Sequence, residues 1–143
     1  MLMNFFKDLL DTNKEIIKDN ASIFAGLMKV GALSSQCKNL AILYITRQNK
    51  NEICFESHCP VAKEDGISDK KIEALNNFND YLDLFDDKEK SILKYIDQYI
   101  KTETFINNSY LELKEKLTEA EILELQSIIM AYSSVNQIVD IIS

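Results

Sequence analysis

One proline and three glycines punctuate all 143 residues of this chain. Turn-rich β architectures need more of both, because tight reversals demand a positive or a preset φ at fixed places. A chain so poor in breakers is expected to fold as helices joined by short loops. The apolar spacing agrees. Ile92, Leu93, Tyr95, Ile96, Tyr99 and Ile100 recur at a helical period, and so do Ile122, Leu125, Ile128, Ile129, Tyr132, Val135, Ile138 and Val139. No stretch alternates as a strand would, and no internal repeat is visible. The expectation is an all-α helical bundle, one domain over residues 1–143, with roughly six to eight helices.

Local signals divide the bundle. A first helix is expected from Leu2 to about Lys18, and a second from Asn20 or Ser22 to Val30, with Gly31 as its stop. A third starts at Ser34 or Ser35 and runs toward Asn49. It is apolar nearly all round, the mark of a buried helix. A fourth spans Asn51 to Gly66, where Pro60 predicts either a kink or a late start. A short amphipathic helix follows Ser68, and the acidic Asp86-Asp87 marks another boundary. Asn107-Asn108-Ser109 reads as a loop before a helix over Tyr110–Lys116. Thr118-Glu119-Ala120-Glu121 is a capping box opening the last helix.

Composition excludes several classes. Hydrophobic residues make up 46 % and charged residues 27 %, which is globular rather than disordered. The net charge is -7, and Arg47 is the sole arginine. No basic stripe exists, so nucleic-acid binding is disfavoured. The longest apolar run, Leu40 to Ile45, is too short to span a bilayer, and the N-terminus lacks a signal-peptide pattern. Three cysteines, Cys37, Cys54 and Cys59, do not make a disulfide framework, so a reduced cytoplasmic setting is expected.

The chemistry concentrates in Asn51-Glu52-Ile53-Cys54-Phe55-Glu56-Ser57-His58-Cys59-Pro60. His58 is the single histidine and lies four residues after Cys54, on the same helix face. A thiol beside an imidazole can be held as thiolate, the reactive form, and a helix start near Asn51 adds favourable partial charge. The bland alternative is a buried cysteine and a satisfied core histidine. Cys59 and Cys37 are auxiliary thiols or small apolar fillers. Glu52 and Glu56 are proton carriers or a solvated face. Cys37, Cys54, His58 and Cys59 make a zinc-like count, but the spacing is no zinc pattern, so neither metal nor cofactor is expected. Tyr95, Tyr99, Phe105 and Tyr132 read as core or interface.

The stretch His58-Cys59-Pro60-Val61-Ala62-Lys63-Glu64-Asp65-Gly66 follows a His-xxx-Ala-xxx-Gly pattern. With the helix before it and the order of helices after it, the chain from about Ala25 onward resembles the carboxymuconolactone decarboxylase and alkylhydroperoxidase D superfamily. Pro60 matches one branch, and Phe55 stands where that branch has tryptophan. In the peroxidase branch two cysteines stand seven and four residues before the histidine. Cys54 matches the second, the peroxide-reactive one, while Asn51 holds the first. Asn39 stands where a glutamate completes the proton relay, and the decarboxylase branch has glutamate at the position of Cys54. The resemblance implies a helical homo-oligomer, a trimer or hexamer. It implies a thiol-dependent peroxidase with Cys54 as nucleophile, His58 as proton shuttle, a hydroperoxide substrate and a thiol reductant. Cys59 or Cys37 would be the resolving thiol. The alternatives are a lyase acting through His58 on a small carboxylated lactone, and a non-catalytic oligomer whose site has decayed.

Overall fold

A run of ten buried residues, Cys37 through Thr46, forms the middle of the fold. The computed structural model describes residues 31–142, with side chains described through residue 133. The helices expected before Gly31 lie outside the described residues. Helix α1 (Ser35–Gln48) is followed by α2 (Glu52–Glu64) and α3 (Asp69–Ala74). A 3-10 segment (Phe78–Leu84) leads to α4 (Asp87–Thr102), α5 (Tyr110–Lys116) and α6 (Glu119–Ile142). No strand occurs among the described residues. No helical period in the sequence marks the 3-10 segment.

Helix α1 packs against α2, α4 and α6. Leu40, Ala41, Ile42, Leu43 and Ile45 turn apolar atoms to every side, and each fully buried side chain of this size contributes about 1.5–3 kcal/mol. Helix α4 adds Ile92, Leu93, Tyr95 and Ile96, and α6 adds Leu125, Ile128 and Ile129. The Tyr95 hydroxyl donates to the Phe105 carbonyl at 2.6 Å, and Tyr99 stacks on Phe105 with ring centres 4.7 Å apart. Tyr95 is core, and Tyr99 and Phe105 are partly buried against it.

Five of the six α-helices among the described residues begin on a side-chain acceptor for their orphan amides, and α5 does not. Ser34 Oγ takes Cys37 N–H, Asn51 Oδ1 takes Cys54 N–H, and Ser68 Oγ takes Lys71 N–H, each at 3.2 Å. Asp86 and Glu89 form a reciprocal capping box on α4, and both Glu89 carboxylate oxygens accept from Lys71 Nζ, at 2.9 and 2.8 Å, tying α3 to α4. Thr118 and Glu121 form the box expected for α6. Helix α2 continues through Pro60, so it does not start late. Glu56 and Pro60 are both exposed, so the carbonyl that loses its donor lies on the wet side of the helix. Gly66 closes α2 at φ 96°, with Gly66 N–H on Lys63 O and Ile67 N–H on Ala62 O.

Glu124 of α6 clamps the entry to α1. Its carboxylate takes Ala32 N–H at 2.7 Å and Leu33 N–H at 2.9 Å, and pairs with the buried Lys38 at 3.4 Å. Burial pushes this carboxyl up, but the Leu33 and Ala32 amides and Lys38 pull harder, so it sits below the usual glutamate value. A depressed carboxylate contributes stability above its unfolded pKa and loses it as pH falls through the folded one. A Cβ on Gly31 would overlap Glu124 Oε1. Gly31→Ala must therefore displace the clamp, with an expected loss of about 1–3 kcal/mol in urea unfolding. The same substitution in a Glu124→Ala background should cost almost nothing, and an equal loss in both backgrounds would refute the clamp as its origin.

Candidate functional site

Helix α2 sets Cys54 in its first turn and His58 one turn later, on one face. Both are half-buried. Helix α6 crosses this face and brings Tyr132, whose hydroxyl lies 2.9 Å from His58 Nε2. The two rings meet edge to face, with centres 5.4 Å apart and planes at 69°. His58 Nδ1 is buried and has no hydrogen-bond partner. An orphaned buried N–H is rarer and costlier than an orphaned lone pair. The arrangement therefore favours the proton on Nε2, donated to the Tyr132 oxygen, and a bare lone pair on Nδ1.

Burial governs the charges. It pushes the Cys54 thiol above its ordinary value, and hydrogen bonding by Asn51 recovers only part of that. It pulls His58 down, which keeps the imidazole neutral. It pushes Tyr132 up to about 12, with the nearby Cys54 adding to the rise. The sequence reading expected His58 to lower the thiol. The structure gives the reverse: a neutral imidazole carries no charge to stabilise a thiolate, and desolvation then decides. At rest the site holds a thiol, an imidazole and a phenol, all uncharged. An unpartnered imidazole lone pair can still take a proton from a neighbouring thiol during reaction.

The other candidates sit elsewhere. Asn39, 2 % exposed, gives its amide to Asp65 Oδ2 at 3.2 Å, and its Oδ1 is buried without a partner. With Gln36, which donates to the Asp65 carbonyl at 2.7 Å, it braces the C-terminal end of α2. Asn51 caps α2 and touches the thiol. Cys37 is buried, and its charged neighbours, Lys88, Glu89 and Asp86, are those at the start of α4. Cys59 is half-buried among Lys63, Arg47, Glu56 and Asp69. Glu56 and Glu52 are exposed. All three thiols are free. Among the described residues, no group of three His, Cys, Asp or Glu side chains is placed to hold a metal ion, so Cys37, Cys54, His58 and Cys59 do not converge. Among the same residues no helix is long and apolar enough to cross a membrane.

Tyr132 is the partner that sequence reasoning filed as core. It is buried, as that reading had it, but its hydroxyl has a polar task. A tyrosine inside an apolar helical stripe carries an O–H that must find a partner when buried, and that was the available signal. No protein-family model matches the chain, and no curated protein matches it.

His58 should titrate below 6.5, its ordinary value, when followed by NMR. A base whose folded pKa is depressed leaves the unfolded chain binding more protons, so stability falls as pH drops from about 6.5 toward the folded value. His58→Phe should flatten that stretch of the stability curve. Tyr132→Phe should lower the His58 pKa further by removing the acceptor for Nε2–H, at a stability cost of about 1 kcal/mol. An unchanged His58 titration in that variant would refute the tautomer assignment.

Proposed function

We propose that this chain is a thiol-dependent peroxidase of the alkylhydroperoxidase D-like type. The observation that carries the reading is one face of α2, where Cys54 stands one turn from a neutral His58 with an unpartnered Nδ1 and with Nε2 held by Tyr132. The Cys54 proton passes to His58, and the thiolate sulfur attacks the terminal oxygen of a hydroperoxide. The O–O bond breaks, and the leaving alkoxide takes the proton from His58. Thiol and hydroperoxide become sulfenic acid and alcohol. A partner thiol then condenses with the sulfenic acid, releasing water and forming a mixed disulfide, and a second thiol frees Cys54. The second thiol is external, and where Cys59 or Cys37 is the thiol that condenses with the sulfenic acid, the product is an intramolecular disulfide that external thiols reduce. No cofactor enters this cycle. Exposed Ile53 and Val61 on α2 and Leu123 on α6 support a homo-oligomer.

A second reading is favoured by one observation. Burial holds the thiol protonated, while His58 and Tyr132 already form an acid–base pair. That pair suits proton transfer on a small carboxylated lactone, with Cys54 a bystander. Asn39 and Asn51, standing where the resembled family has a relay glutamate and a second cysteine, support the third reading, a scaffold without catalysis.

Intact mass after stoichiometric peroxide separates them. The peroxidase reading expects oxygen addition or a disulfide within seconds in the wild type and none in Cys54→Ser. An inert Cys54 overturns it, and lactone turnover lost in His58→Ala but kept in Cys54→Ser would establish the lyase. The peroxide rate should also climb with pH through and beyond 9.0, since burial holds the thiol above that ordinary value. A rate that is flat from about pH 6 to 9 would mean that the thiolate is already formed at rest.

A further inference from the structure

The corner between α1 and α2 gathers positive charge that the rest of this acidic chain leaves unused. The chain carries 23 acidic and 16 basic residues, so carboxylate partners are plentiful. Among the described residues Lys38, Lys63, Lys71, Lys88, Lys90, Lys94 and Lys101 all pair with one. Arg47, Lys50, Lys70, Lys114 and Lys116 do not, and of these Arg47 and Lys50 share one pocket. Lys50 adopts a left-handed backbone, φ 56°, and this turn folds α2 back beside the end of α1. Thr46, Arg47, Lys50, Glu52 and Phe55 then line one pocket of about 280 Å³.

Inside that pocket the guanidinium is held but not satisfied. Its carbon lies 3.8 Å from the centre of the Phe55 ring, which fixes the plane of the fork. Its Nε is buried and has no acceptor. The Thr46 hydroxyl is already committed to the Ile42 and Leu43 carbonyls at 2.9 and 3.1 Å. Glu52 lies on the exposed rim and opposes an incoming anion. The C-terminal end of α1 and the N-terminal end of α2 meet here with opposite half-charges, which offset each other. The two cations therefore decide the sign of the pocket. A flat guanidinium fork matches the paired oxygens of carboxylate and phosphate.

We infer that the α1–α2 corner is a binding site for a compact oxyanion, a carboxylate or phosphate group, held by Arg47 over Phe55 and by Lys50. The pocket is smaller than those that enclose nucleotides or drug-sized ligands, which fits an ion or the terminal group of a larger molecule. The site lies on the Phe55 side of α2 and makes no use of the Cys54, His58 and Tyr132 cluster. It stands or falls apart from the peroxidase reading.

Because Arg47 is the only arginine, its Nε–H gives a single resonance in the nitrogen-15-labelled full chain. Titration with sodium phosphate and, separately, sodium succinate should move that resonance saturably, against sodium chloride at matched ionic strength. Saturation by phosphate alone assigns a phosphate site, and saturation by succinate assigns a carboxylate site. Lys50→Ala should weaken binding about two- to fivefold, and Glu52→Gln should tighten it about as much. Both side chains are exposed, so the fold survives either change. No saturable shift, an equal shift with chloride, or affinity untouched by both variants would overturn the proposal.

Discussion

The burial of α1 on all sides is the constraint from which the other features follow. A helix whose middle has no wet face must be surrounded, and among the described residues α2, α4 and α6 pack against it. Lys38 and Asn39 are carried into the interior with it, each 2 % exposed. A buried ammonium needs a carboxylate, and Glu124 supplies one from α6. A buried amide needs partners, and Asp65 at the end of α2 supplies one. The polar ties between helices are thus obligations created by an apolar element, and they fix how its neighbours are placed.

The same placement makes the site. Helices α2 and α6 both lean on α1, and their mutual approach puts Tyr132 on His58. The desolvation that stabilises the bundle also neutralises the thiol and the imidazole. Fold and chemistry pull in opposite directions here. A more open face would favour the ionised pair but would give up apolar contact on Ala62 and Tyr132.

Much of this was legible in the residues themselves. The period of α4, the box at Thr118, the bounds of α5 and the glycine stop at Gly66 each rest on a local rule, and each stands where that rule put it. The 3-10 segment was not legible, because Phe78 and Leu82 are spaced too briefly to show a period. Tyr132 was legible as buried but not as a partner of His58. The two are far apart in sequence, and only the packing of α6 on α1 decides which residue meets the imidazole. The direction of the Cys54 shift failed for a related reason. Adjacency on a helix can be read from spacing, whereas desolvation depends on everything that covers the face. The resemblance to the alkylhydroperoxidase D-like class supplied roles for residues, but it could not say how deeply this chain buries them.

Pro60 divides the hydrogen-bond ladder of α2. The Glu56 carbonyl has no helical donor, so the ladder is lightest between the turn that bears Cys54 and the stretch anchored by Ala62, Asp65 and Gly66. Cooperative opening weakens where a ladder is interrupted. The front turn of α2 is held by the Asn51 cap and by Phe55 on the core, and the rear turn by its bonds to α1, so the two rest on separate anchors. The half-buried thiol thus sits on the side of the break that the bonds to α1 do not hold.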